Sequence, residues 1–125
     1  MAVSIRRLPD AELEIMQAAW DCAPPVSRAD IETVINETHP MAPTTILTLL
    51  LRLTERGFLI VEKSGKSNYY TPVVSRADYL AAQSKSFLDK LCGGDMRVFA
   101  TALCDSGLSR EELEQLRQLL ERGEL

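Results

Sequence analysis

Hydroxyl and guanidinium side chains recur at helical spacing in the segment between Pro43 and Gly57. They belong to Thr44, Thr45, Thr48 and Arg52. A threonine hydroxyl both donates and accepts hydrogen bonds, and an arginine carries a permanent charge with several N–H donors. On one face of a helix, these groups suit a polar and anionic partner that presents hydrogen-bonding edges.

The other side of the same segment is apolar at intervals of three and four residues, the period of an amphipathic α-helix. The repeating positions are Ile46, Leu49, Leu50 and Leu53. Pro43 suits a first helical turn, Gly57 suits the left-handed residue after a helix, and Arg56 suits the last turn. We therefore predict a helix with one buried face and one hydroxyl-rich outer face.

A β-hairpin with a basic tip is predicted directly after this helix. Residues 58–63 and 68–73 are rich in β-branched and aromatic side chains, as strands are. Residues 64–68 between them read Ser-Gly-Lys-Ser-Asn, which is typical of a turn.

Two further helices are predicted before the hydroxyl-rich one. Residues 10–20 carry an apolar helical face and follow Pro9, and Ser27 with Asp30 forms a capping-box-like start for a second helix. Three helices followed by a basic hairpin is the order of a winged helix-turn-helix, in which the third helix enters the DNA major groove. We therefore predict such a domain over residues 1–75.

The remaining DNA contacts are expected from the hairpin and the N-terminus. Lys63 and Lys66 are predicted to contact phosphates, and Arg6 and Arg7 belong either to a frayed tail or to a phosphate clamp beside the first helix. Tyr69 and Tyr70 alternate across the second strand, so one packs on the core and the other faces the DNA backbone. We assign Tyr70 to the DNA side.

From residue 76 onward the pattern is helical alone, in short amphipathic segments that cannot bury their apolar faces by themselves. We predict a helical dimerisation region over residues 76–125, in which two copies pair by a two-fold contact. The complete fold class is mainly α with a small β-hairpin. The predicted dimerisation residues are Tyr79, Leu80, Phe87, Leu88, Leu91, Phe99, Leu103, Leu113, Leu116 and Leu120.

Composition narrows the function classes. The chain has 125 residues, a net charge of −4, three widely spaced cysteines and one histidine. It has no apolar run of about 20 residues and no signal-peptide pattern, so we expect a cytoplasmic protein that does not insert into a membrane. No catalytic triad, phosphate-binding glycine loop or metal-ligand spacing is evident, so we expect no enzyme activity, cofactor or metal.

Several segments together resemble the penicillinase-repressor family of bacterial transcription regulators, the BlaI/MecI type with the copper-responsive CopY type as a relative. The matching stretches are residues 8–20, 45–53, 69–72, 87–95 and 113–120, and the fourth is similar to the family's FLxxLxGGD hinge. In that family the DNA-facing positions of the third helix correspond to Thr44, Thr45, Leu47, Thr48 and Arg52.

The resemblance implies a homodimeric repressor that binds an inverted-repeat operator in double-stranded DNA and controls β-lactam resistance or related stress genes. It also implies release by a membrane sensor metalloprotease that cleaves near Ala102 and Leu103. The third helix departs from the staphylococcal members, which carry lysine at Thr44 and arginine at Leu47. Leu47 could instead contact a thymine methyl. The acidic net charge leaves one alternative open, a winged-helix protein-interaction module that does not bind DNA.

Overall fold

Six α-helices, one π-helical segment and three β-strands form the fold in a computed structural model, which describes residues 5–123. The chain divides into two units between Gln83 and Ser84, within the fourth helix. In order, the elements are α1 (Asp10–Asp21), β1 (Val26–Ser27), α2 (Arg28–Thr38), α3 (Pro43–Glu55), β2 (Leu59–Ser64), β3 (Ser67–Pro72), α4 (Arg76–Ser86), the π-helical segment (Phe87–Leu91), α5 (Met96–Asp105) and α6 (Arg110–Arg122).

The N-terminal unit is built around the buried faces of its first three helices. The predicted apolar face of α3 is confirmed, since Ile46, Leu49, Leu50 and Leu53 are all at most 5% exposed. Ile15 and Met16 of α1 and Ile31 and Ile35 of α2 complete the same core. The outer face of α3 is therefore held in place by a fully apolar inner face.

The ends of α2 and α3 are fixed by the residues that the sequence indicated. Ser27 and Asp30 form a reciprocal capping box at the start of α2. At the end of α3, Gly57 adopts a φ of 82°. The N–H of Phe58 donates to the carbonyl of Leu53 (2.9 Å), and the N–H of Gly57 donates to the carbonyl of Thr54 (3.1 Å). This Schellman pattern stops the helix and leads the chain directly into β2.

The predicted hairpin is present as β2 and β3, paired antiparallel from Leu59↔Pro72 to Ser64↔Ser67. The sequence reading missed β1, which pairs with β3 to give the order β1-β3-β2. Val26 lies opposite Tyr70 and is fully buried. The short strand thus joins the start of α2 to the hairpin and fixes the hairpin beside the helices.

Tyr79 belongs to the core of the N-terminal unit, so its prediction as a dimerisation residue is wrong. Its side chain is 4% exposed, and its ring lies 5.7 Å from that of Trp20 and 6.0 Å from that of Phe58. Its hydroxyl accepts a hydrogen bond from the backbone N–H of Leu8 at 2.9 Å. Because both the ring and the hydroxyl have partners within the unit, the first turns of α4 complete the winged-helix core.

The C-terminal unit has a thin core. The helical backbone of α4 continues from Phe87 in π-helical geometry, and the Phe87 and Phe99 rings lie 5.6 Å apart. Asp95 caps α5, and a Ser109–Glu112 capping box opens α6. Among residues 84–123 only Cys92 is buried, while Leu91 remains 75% exposed. The unit therefore leaves much of its apolar surface open to solvent.

Candidate nucleic-acid interface

The outer face of α3 carries the hydroxyl and guanidinium groups predicted from the sequence. Thr44, Thr45, Thr48 and Arg52, here named the hydroxyl stripe, are all exposed and line one shallow depression together. The only carboxylate in α3, that of Glu55, lies at the far end of the helix from Thr44. The N-terminal half of the face therefore combines hydrogen-bonding groups with no negative side chain of its own.

The hydroxyl of Thr48 has a defined polarity. Its Oγ1 donates a hydrogen bond to the backbone carbonyl of Thr44 at 3.0 Å. A hydroxyl has a single proton, so the exposed lone pairs of Thr48 are left to accept a hydrogen bond from a partner. In the major groove the matching donors are the amino groups of adenine and cytosine.

Two leucines lie on the same outer face. Leu47 is 39% exposed and Leu51 is 59% exposed, and they are four residues apart, which places them on adjacent turns. We call them the leucine pair. Leu47 was predicted through the family resemblance, whereas Leu51 was not predicted. The signal for Leu51 in the sequence is that an apolar residue lies outside the buried helical period.

A cleft separates α3 from the hairpin and the start of α2, and we call it the hairpin cleft. Its lining residues include Leu47 of α3, Lys66 at the hairpin tip and Arg28, the first residue of α2. Arg28 also pairs with Glu32 of its own helix, with 3.3 Å between Nε and Oε1. The structure thus brings Lys66 and Leu47 together and adds Arg28, which can contribute a second cation to this surface.

The other predicted cations lie apart from the hairpin cleft. Lys63 is exposed on β2, opposite Asn68 in the register. Arg6 and Arg7 are exposed ahead of α1, and a guanidinium nitrogen of Arg7 lies 3.8 Å from a carboxylate oxygen of Asp10. None of these three residues is among those that line the cleft or the hydroxyl stripe depression.

Tyr70 is buried, so the prediction that its side chain faces outward is wrong. It is 5% exposed and lies opposite Val26 on one side and Val61 on the other. Tyr69 is the half-buried member of the tyrosine pair. Strand alternation requires one tyrosine to face inward, and Tyr70 is the one that belongs to the hydrophobic core. It contributes to the hairpin cleft only as part of its wall.

Arg56 holds α3 against α1 through a buried carboxylate. Its Nε lies 2.7 Å from Oε1 of Glu12, whose residue is only 2% exposed, while the Arg56 side chain is 46% exposed. An unpaired carboxylate as buried as that of Glu12 would lower the stability of the fold. The Arg56 guanidinium stabilises the Glu12 carboxylate at this position. Sequence reasoning missed Glu12 because a carboxylate in a first helical turn is usually solvated.

Within residues 5–123 there is no group of three histidine, cysteine or acidic side chains that could hold a metal ion. Burial, together with the carboxylates of Asp30 and Asp21, raises the pKa of the Cys22 thiol and lowers its reactivity. In the same described range, no helix is both long and apolar enough to cross a membrane.

Comparison with known proteins gives a consistent family match. A family model described as penicillinase repressor matches residues 8–122. The chain is 33% identical to the penicillinase repressor of Bacillus licheniformis, over 94% of this chain and 91% of that protein. It is 29% identical to the methicillin resistance regulatory protein MecI of Staphylococcus aureus, over 92% of this chain and 94% of that one.

Solved structures match the same fold. The solution structure of the DNA-binding domain of the repressor BlaI is similar with a TM-score of 0.53 and 35% identity, covering 60% of this chain and 90% of that one. The monomeric form of Bacillus licheniformis BlaI in complex with the blaP half-operator matches with a TM-score of 0.51, at the same identity and coverage. The predicted winged-helix fold class is confirmed, and the chain belongs to the penicillinase repressor family of transcriptional repressors, which are not enzymes.

Proposed function

We propose that the protein is a DNA-binding transcriptional repressor that contacts the major groove through α3 and the flanking phosphates through the hairpin. The observation that carries this proposal is the outer face of α3, where the hydroxyl stripe is exposed and the hairpin cleft beside it brings Arg28 and Lys66 near Leu47. Hydrogen-bonding groups read base edges, and cations beside them position the protein on the backbone. The monomeric form of BlaI, to which this chain is similar, has been solved in complex with the blaP half-operator, which supports DNA binding.

We propose further that the repressor acts as a homodimer on an inverted-repeat operator. The support lies in the C-terminal unit, whose helices leave large apolar side chains exposed, including Leu91 and Leu120. A second copy would bury these faces, and a two-fold dimer matches a palindromic site. The proposed contact residues are Leu80, Phe87, Leu88, Leu91, Phe99, Leu103, Leu113, Leu116 and Leu120.

Release by proteolysis is the regulatory part of the proposal. The predicted cleavage point near Ala102 and Leu103 lies within α5, and both residues are half-buried. Helical, hydrogen-bonded backbone must open locally before a protease cleaves it. A sensor protease responding to β-lactam or a related stress would therefore act on a locally unfolded α5, and the cut would separate α6 from the rest of the chain.

A mobility-shift titration on the DNA upstream of the protein's own gene tests the proposal, together with sedimentation of the free protein. We expect a retarded complex at low salt and a dimer in sedimentation. Arg52→Ala should weaken binding with little change in melting temperature, because Arg52 lies on the exposed face of α3.

Absence of binding at low salt by a folded dimer would overturn the DNA-binding proposal and favour the protein-interaction module. A monomer that still binds DNA would overturn only the dimer proposal. A large melting shift with unchanged affinity for Arg52→Ala would contradict the orientation assigned to α3.

A further inference from the structure

The leucine pair is not required by the core of the N-terminal unit. The inner face of α3 is already complete, with Ile46, Leu50 and Leu53 fully buried. Leu47 and Leu51 lie outside that face and expose 39% and 59% of their surfaces. A single exposed leucine needs no explanation, but two on adjacent turns of a proposed recognition helix form a continuous apolar strip.

The surroundings of the leucine pair define what would cover it. Leu47 lines the hairpin cleft together with Arg28 and Lys66, so an occupant must present both apolar groups and negative charge to the same cleft. The DNA major groove meets this requirement, because the C5-methyl group of thymine projects into the groove between the two phosphate backbones. An apolar protein surface would offer no negative charge to Lys66 and Arg28, which line the same cleft.

We propose that Leu47 and Leu51 bind thymine methyl groups and so determine part of the half-site sequence. This inference rests on the proposed DNA-binding function and adds the class of base pair recognised. Leu47 is the principal contact, because residues near the start of a recognition helix approach the bases most closely. On the same face, Thr48 accepts from an amino group and Arg52 offers a cation. At the Leu47 position an apolar side chain favours A·T pairs, whereas a cation would favour guanine.

The test compares two copies of the upstream DNA fragment, one amplified with dTTP and the other with dUTP. Uracil lacks only the C5-methyl group and keeps the hydrogen-bonding edge of thymine. Binding is measured for the full-length protein, for Leu47→Ala and Leu51→Ala, and for Val73→Ala as a control at an exposed apolar residue outside α3. Alanine is the best helix former, so both α3 variants should keep their fold.

We expect the wild type to bind the uracil fragment about fourfold more weakly for each methyl group buried, and so about fifteenfold more weakly for a dimer with one such contact in each half-site. The Val73→Ala control should keep this ratio. Leu47→Ala should remove most of this difference, because the principal partner of the methyl group is gone, and Leu51→Ala should remove a smaller part of it.

An equal affinity of the wild type for both fragments would overturn this inference while leaving the proposed function intact. If Leu47→Ala and Leu51→Ala both keep the wild-type preference for the thymine fragment, the inference is also overturned, because the preference would then come from DNA shape. Failure of the wild type to bind either fragment at low salt would instead overturn the proposed function itself.

Discussion

One buried residue, Tyr79, predicts where the stable N-terminal unit ends. A chain that ends at residue 75, the boundary expected from the sequence, lacks Tyr79, whereas a chain that ends at residue 83 keeps it. Tyr79 is 4% exposed, contacts the rings of Trp20 and Phe58 and accepts the N–H of Leu8. The shorter chain should therefore be much less stable than the longer one.

The size of the effect follows from the loss of a large buried aromatic side chain. Removing such a side chain costs about 3–5 kcal/mol, a large part of the roughly 5–15 kcal/mol that stabilises a typical domain. At about 4–8 °C per kcal/mol for a domain of this size, the midpoint of thermal unfolding should fall by roughly 12–40 °C. Loss of the hydrogen bond to Leu8 acts in the same direction.

Circular dichroism melts of the two chains, residues 1–75 and 1–83, measure the difference. Tyr79→Phe in the longer chain provides the matched control, since it keeps the ring and removes only the hydroxyl that accepts the Leu8 N–H. We expect that variant to lose about 1 kcal/mol. Equal midpoints for the two chains would refute the assignment of Tyr79 to the core of this unit.

Three further predictions test individual contacts. Arg56→Met should lower the free energy of unfolding in urea by up to about 3 kcal/mol, because it leaves the buried Glu12 unpaired. Adding Glu12→Leu should recover much of the loss, and no recovery would contradict the pairing. Thr48→Val should weaken DNA binding by about fivefold for each half-site, while Thr48→Ser stays near wild type. Equal affinities of Thr48→Val and the wild type would exclude Thr48 as an acceptor. In timed iodoacetamide labelling at pH 8, followed by mass spectrometry, exposed Cys104 should react before Cys22, because the raised pKa of Cys22 keeps its thiol protonated until higher pH. Equal labelling rates would refute this expectation.

Local signals predicted α3 and the start of α2 well. The apolar period of α3 identified its buried face, Gly57 identified its end, and Ser27 with Asp30 identified the start of α2. Each of these features depends on residues within about one or two turns of each other. Their physical causes, helical periodicity, left-handed backbone and reciprocal capping, are therefore present in the sequence itself.

Features that depend on distant partners were not predicted. β1 is only two residues long and is defined by its pairing with Tyr70 and Tyr69 of β3. The buried position of Glu12 depends on Arg56, which lies 44 residues away. An amphipathic pattern shows that Tyr79 needs cover, but it does not show which unit provides that cover. Tertiary packing decided each of these cases.

The salt dependence of DNA binding is the most direct test of the proposed DNA-binding surface, because its slope reports how many cations contact phosphates. Four exposed cations in each copy are candidate phosphate contacts: Arg28, Arg52, Lys63 and Lys66. A dimer would make eight such contacts, so the slope of log binding constant against log salt concentration should approach about −7. The double variant Arg28→Ala with Lys66→Ala removes the hairpin cleft cations and should reduce the slope by roughly 3.6.

The matched control is a double variant with the same change of charge in the C-terminal unit, Lys90→Ala with Arg110→Ala, both at exposed positions. We expect this control to keep the wild-type slope and the hairpin cleft variant to lose about half of it. An unchanged slope in the cleft variant, or an equal loss in both variants, would contradict the assignment of the α3 and hairpin surface as the DNA-binding site.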